Sequence, residues 1–203
     1  MPTAPIYTIG YGNRSIENFI KLLNAYNIKY LVDIRSQPYS RYSPAFSKDA
    51  LELRLKQHQI RYIYMGDTLG GRPKDSSCYM DDGRVDYTIL REKDFYQRGI
   101  NRLHTAWEQQ LPVALMCSEM KPEECHRGKL VGNTLVEQGL AVSHIDEAGD
   151  IKTQDEINQF FADSQTNEQA NGQLSLFDEG LPPRLNEKIG RSRKSYAPTR
   201  ESA

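Results

Sequence analysis

Cysteine is scarce in this sequence, and the three present, Cys78, Cys117 and Cys125, are odd in number and unevenly spaced. That excludes a fully paired disulfide framework and leaves packing, catalysis or metal binding as their uses. An excess of one charge is missing as well, since 26 Lys and Arg stand against 27 Asp and Glu. Any contact with nucleic acid must therefore come from local segregation of charge. Long apolar runs are absent, none approaching the ~20 residues that cross a bilayer. The segment Met1 to Gly10 has neither a basic opening nor a signal-type apolar stretch, so a cytoplasmic location without membrane partners is expected.

What is present divides unevenly along the chain. Polar residues crowd the last quarter, leaving a body able to bury a core, so an α/β domain over 1–150 and a flexible tail over 151–203 are expected. Ile6 to Ile9 is a short apolar run ending in Gly10-Tyr11-Gly12-Asn13. Ser15 then caps a helix carrying Ile16, Phe19, Ile20, Leu22 and Leu23 at helical spacing. Lys29 to Ile34 reads as a buried strand, Ser36 to Pro44 as loop, and Ser47 as the cap of a second helix with Leu51, Leu53 and Leu55. Arg61 to Met65 is a third strand, followed by a long irregular loop from Gly66 to Tyr87. Phe95 to Gln109 is helical, Val113 to Cys117 a strand, Glu123 to Gln138 a helix ended by Gly139, and Ala141 to Ile145 a fifth strand. The alternation predicts a mostly parallel five-stranded sheet with helices on both faces and a ligand site beyond the carboxyl ends of the strands. Past Asp150 one short helix, around Thr153 to Phe161, is expected before a disordered tail.

Chemistry-bearing residues gather where the predicted strands end. The segment from Cys117 to Arg127 carries Glu119, Pro122, Cys125 and His126 across a strand end, a turn and a helix start. Pro122 suits a first helical position, and the helix dipole together with Arg127 should acidify a thiol beside it. Cys125 is therefore expected to be the more acidic thiol, and Cys125 or Cys117 the nucleophile. Glu119, Asp33 or His126 would serve as acid or base. Arg35 and Arg127 are expected to hold an anionic group. Arg41 and Arg72 add cations, and Tyr11, Gly12 and Asn13 a turn at the first strand end. Around Arg41, Tyr39, Tyr42 and Phe46 supply aromatic faces, a mixture suited to phosphate and stacked bases. No cofactor is required; the alternative is zinc on Cys117, Cys125 and His126, for which adjacent Cys-His and the missing fourth ligand are awkward.

Taken together, Thr8 to Asn13, Val32 to Pro38, Leu69 to Pro73 and the Cys117 to Arg127 motif resemble the family known as domain of unknown function 488, over about Pro5 to Asp146. The resemblance implies an α/β domain with a cysteine site and carries no reaction with it.

In the tail, Gln173-Leu174-Ser175-Leu176-Phe177 resembles the peptide by which bacterial proteins bind the replication sliding clamp, with Leu174, Leu176 and Phe177 as apolar anchors and Gln173 as the polar contact. A basic end from Arg184 onward could follow a phosphate backbone. The preferred expectation is thus a DNA- or nucleotide-processing enzyme associated with DNA repair, cysteine-centred and recruited by the clamp. Two alternatives are a non-catalytic DNA-associated adaptor with structural or metal-binding cysteines, and a thiol redox or sulfur-transfer enzyme.

Overall fold

The structure is a computed structural model that describes residues 4–163. The clamp-like peptide, the basic end and the expected disordered tail lie outside the described residues. The first compact unit runs from Met1 to Gln165, past the boundary expected at 150.

Five strands fall where the apolar runs placed them: β1 Ile6–Gly10, β2 Tyr30–Asp33, β3 Arg61–Tyr64, β4 Val113–Cys117 and β5 Val142–Ile145. The sheet has six strands rather than five, in the order β3-β2-β4-β1-β5-β6. The added strand, β6 Ile151–Thr153, pairs antiparallel with β5, whereas all other neighbours pair in parallel. Its three residues Ile-Lys-Thr bury too little apolar surface to announce a strand; backbone pairing alone defines it.

Alternation along β4 assigns the two faces. Ala114 and Met116 pack with α1 Ile16–Ala25 and α2 Lys48–Gln57, while Val113, Leu115 and Cys117 pack with α4 Tyr87–Glu92, α5 Asp94–Glu108 and the helix after Cys125. Ser15 caps α1 as expected, accepting from Asn18 N–H at 3.2 Å. Ser47 occupies the N-cap position of α2, as expected, but makes no capping hydrogen bond. Its hydroxyl instead accepts from Ser40 N–H at 3.2 Å and pins the loop that follows β2.

The expected loop 66–87 holds a short helix, α3 Gly66–Leu69, and a 3-10 turn at Ser76–Cys78. The largest departure lies after β4, where a continuous helix from Glu123 was expected. Pro122–Glu124 forms a 3-10 turn, Cys125 is extended, and the helix then opens as a π-helical stretch, Arg127–Gly132, before α6 Asn133–Glu137. A π segment widens the turn and re-aims the side chains at its start, which is why such segments recur at functional sites.

Candidate active site

Strand register brings the motifs to one end of the sheet. Gly10 lies opposite Cys117 and Asp33 opposite Met116. Beyond the strands, Tyr11 N–H donates to Cys117 O and Gly12 N–H to Ser118 O, at 3.2 and 2.8 Å. Those amides are consumed, so Gly10-Tyr11-Gly12 is no phosphate cradle. Gly10 has a different purpose: a Cβ there would lie 1.8 Å from Glu119 O and 2.4 Å from Arg127 Nη1. Only glycine admits the buried arginine and the carbonyl it holds.

Arg127 is fully buried, and its guanidinium folds back over the strand end. Nη1 donates to Cys117 Sγ at 2.9 Å and to Glu119 O at 2.6 Å, and Nη2 to Met120 O at 2.7 Å. Cys125 is extended just before the helix, and its sulfur accepts from Arg127 N–H at 3.4 Å. The two sulfurs are 2.7 Å apart, with Cys125 donating to Cys117.

This geometry overturns the expectation that Cys125 is the more acidic thiol. Full burial alone would push the Cys117 thiol up, but the S–H donated by Cys125 and the Arg127 charge outweigh it, leaving its pKa below the ordinary value. Cys125 moves the opposite way, because burial and the neighbouring sulfur hold its proton on. The pair therefore loses one proton easily and the second with difficulty, and its titration belongs to both residues. The helix start does not favour Cys125 as expected, because the Arg127 guanidinium donates to the other sulfur and Cys125 receives only the backbone N–H of Arg127.

His126 completes the cluster. Its Nε2 lies 3.0 Å from Ile34 O, and since a carbonyl can only accept, that nitrogen carries the proton. Burial keeps the imidazole pKa below its ordinary value, so the ring is neutral at pH 7 and Nδ1 is a bare acceptor. Nδ1 lies 3.5 Å from Cys125 Sγ. A Cβ on Gly71 would come within 2.7 Å of the His126 ring, so glycine at that position lets the loop close over it.

Cys125 and His126 face a cleft of about 560 Å3 whose walls include Arg35, Arg72, Lys74, Tyr87, Ser118 and Glu119. Glu119 is exposed, and one of its carboxylate oxygens lies within 4.8 Å of both sulfurs. Cys117 is not part of the wall; it stands behind Cys125, fully buried. Sequence reasoning missed Lys74 and Tyr87. Both come from the irregular loop region, where no periodicity marks which side chains turn inward.

Several expected site residues do not join the cleft. Asp33 is fully buried, its two oxygens taken by Arg35 N–H, Nε and Nη2 at 3.0, 2.9 and 2.6 Å and by Tyr62 O–H at 2.7 Å. Both carboxylate oxygens are thus occupied from within the fold, and Asp33 is not on the cleft wall. Arg127 is spent on Cys117 and two carbonyls and does not reach the cleft. Tyr11 is buried in a stack on Phe46, at 4.4 Å between ring centroids, and Gly12 and Asn13 lie off the cleft wall. Arg41 is exposed on the loop after β2, beside Tyr39 and Tyr42, which are 72% and 95% exposed.

A set of donors that could hold a metal ion exists, but it is Cys117, Glu119 and Cys125 rather than the expected Cys117, Cys125 and His126. His126, whose Nδ1 lies 3.5 Å from Cys125 Sγ, is not part of that set. A dication on these three donors would also press against the guanidinium at Cys117, so the donor set fits a zinc ion poorly.

A parallel α/β protein with a buried thiol pair, an arginine and a histidine at its strand ends is the class that fold and site define. Residues 15–133 match the family described as domain of unknown function DUF488, and because this span exceeds half of the chain, the protein belongs to that family. The matched span includes Asp33, Gly71 and the whole Cys117 to Arg127 motif. No curated protein and no solved structure matches the chain.

Proposed function

We propose that the protein is a cysteine-dependent enzyme acting on DNA or a nucleotide, with Cys125 as nucleophile. One observation carries the reading: Cys125 Sγ, 3.5 Å from the bare Nδ1 of His126, faces a cleft that also presents Arg72 and Lys74. A nucleophile within reach of a base, itself oriented by a third group, is the arrangement that activates a thiol. In this reading His126 takes the Cys125 proton as the sulfur attacks and returns it to the leaving group, with Glu119 lining the same cleft. Arg72 and Lys74 hold the substrate's anionic group. Tyr87 lines the same cleft, and burial near Cys125 and Glu119 raises its pKa, so it stays a hydroxyl donor.

The nucleic-acid part is supported by Arg41, Tyr39 and Tyr42 on the exposed loop after β2, where rings this open can stack on bases. Assignment to DNA repair and recruitment by the sliding clamp rest on the sequence of Gln173 to Phe177. No helix among the described residues is long and apolar enough to cross a membrane. Titration of a fluorescent single-stranded oligonucleotide tests the substrate class. Arg72→Ala and Lys74→Ala together should weaken binding and lower the dependence on log salt by roughly 1.4, two single-strand contacts' worth. An intact chain that binds no oligonucleotide or nucleotide at low salt sinks the DNA reading. Calorimetric titration of the sliding clamp with a peptide covering Asn171 to Gly180 tests recruitment, and absence of heat at high micromolar peptide ends it.

A further inference from the structure

We infer that Cys117 and Cys125 form a dithiol exchange centre that reduces a small disulfide while closing a bond between themselves. This inference rests on the sulfur pair and is independent of the nucleic-acid reading. Two sulfurs 2.7 Å apart are nearer than any other thiols in the described residues; Cys78 is buried in a separate turn. The pair is also asymmetric in the way a two-step exchange needs. Cys125 lines the cleft and meets a reagent first, whereas Cys117 stands behind it. Arg127 Nη1 donates to the rear sulfur at 2.9 Å and favours its thiolate, the form that attacks in the second step.

The exchange balances with a disulfide RSSR as oxidant. Cys125 passes its proton to His126 Nδ1 and attacks one sulfur of RSSR. The old S–S bond breaks, a mixed disulfide forms on Cys125, and the departing thiolate takes the proton from His126 as RSH. The Cys117 thiolate then attacks Cys125 Sγ, the mixed S–S bond breaks, and the second R group leaves as a thiolate. Each cysteine sulfur has lost one electron, the reagent has gained two, and the single proton of the pair has left with it. Excess thiol reverses both steps and restores the reduced site. Neither sulfur needs a partner chain.

The test uses the full chain and hydroxyethyl disulfide, with thiols then quenched in acid and read by intact mass and peptide mapping. Wild type should lose the mass of two hydrogens and show the peptides of Cys117 and Cys125 joined. Cys117→Ser should instead accumulate the mixed disulfide on Cys125, and Cys125→Ser should leave Cys117 unmodified. A wild-type chain that keeps a stable mixed disulfide, or keeps both thiols, overturns the inference whatever the variants do. Oligonucleotide binding by the same samples separates this outcome from that of the substrate reading.

Discussion

Two arginines are buried at neighbouring strand ends, and they are used in opposite ways. Arg35, after β2, has its Nε and Nη2 on the Asp33 carboxylate and its Nη2 also on Phe46 O, while Tyr62 closes the last carboxylate position. Arg127, after β4, holds two carbonyls and a thiol. The Asp33 carboxylate has its oxygens filled by donors from within the fold, so the first cluster is closed and serves the fold. The Cys117 thiol has its pKa lowered by the S–H of Cys125 and by the Arg127 cation, so the second cluster can change protonation and do chemistry. Buried charge pairs are thus read by what the anion is, more than by where they lie.

The contrast predicts different losses, and the largest belongs to the closed cluster. Asp33→Ala leaves the Arg35 guanidinium buried without its anion and should cost about 3 to 5 kcal/mol of stability by urea unfolding. Tyr62→Phe removes one hydrogen bond to the same carboxylate and should cost only about 1 kcal/mol. If Asp33→Ala unfolds no more easily than wild type, the division between a structural and a chemical arginine is broken.

A third buried network sharpens the point. His144 is fully buried, with its ring nitrogens on Thr8 and Gln154 at 2.7 and 2.8 Å. Burial lowers its pKa from 6.5 to about 4. A histidine whose folded pKa is depressed contributes stability that is full above its unfolded pKa and is lost as pH falls through the folded one. Unfolding free energy should therefore drop by about 3 kcal/mol between pH 6.5 and pH 4. Replacement of His144 by glutamine should flatten that dependence, and an unchanged slope in the variant would assign the loss to other groups.

Arg127→Met should act mainly on reactivity. It strips the cation from Cys117, so the first ionisation of the sulfur pair moves up, and thiol reactivity at neutral pH falls about tenfold. The same change leaves two carbonyls without a donor, at about 1 to 3 kcal/mol of stability. Reactivity equal to wild type would show that the guanidinium does not set the state of the pair.

Much of this was legible in the sequence because the signals are local. The five apolar runs became strands, and Cys117, Glu119, Cys125 and His126 lie in one contiguous segment whose ends could hardly separate. The glycines at 10 and 71 were visible as well, but as turn residues; the room they make for Glu119 O and the His126 ring is a tertiary fact. The same holds for Arg127, which the sequence sends toward a ligand and the π-helical start turns back onto Cys117. Asp33 and Arg35, two apart at a strand end, were read together as a site, but their pairing uses up only the carboxylate: among the described residues Arg35 Nη1 has no hydrogen-bond partner, and Arg35 lines the cleft. Lys74 and Tyr87 had no local signal at all, because loop side chains acquire a direction only from what the loop packs on.

The central claim is that Cys125 is the cleft-facing member of a sulfur pair that shares one proton beside Arg127. The rate of iodoacetamide alkylation against pH, resolved by peptide mapping for Cys78, Cys117 and Cys125, tests it most directly. The account predicts that Cys125 is modified first, that its rate follows the first ionisation of the pair and so persists below the ordinary thiol range of about 8.5, and that Cys117→Ser moves its profile up to that range or beyond. A wild-type profile for Cys125 already centred at or above the ordinary value, unchanged by Cys117→Ser, would contradict it.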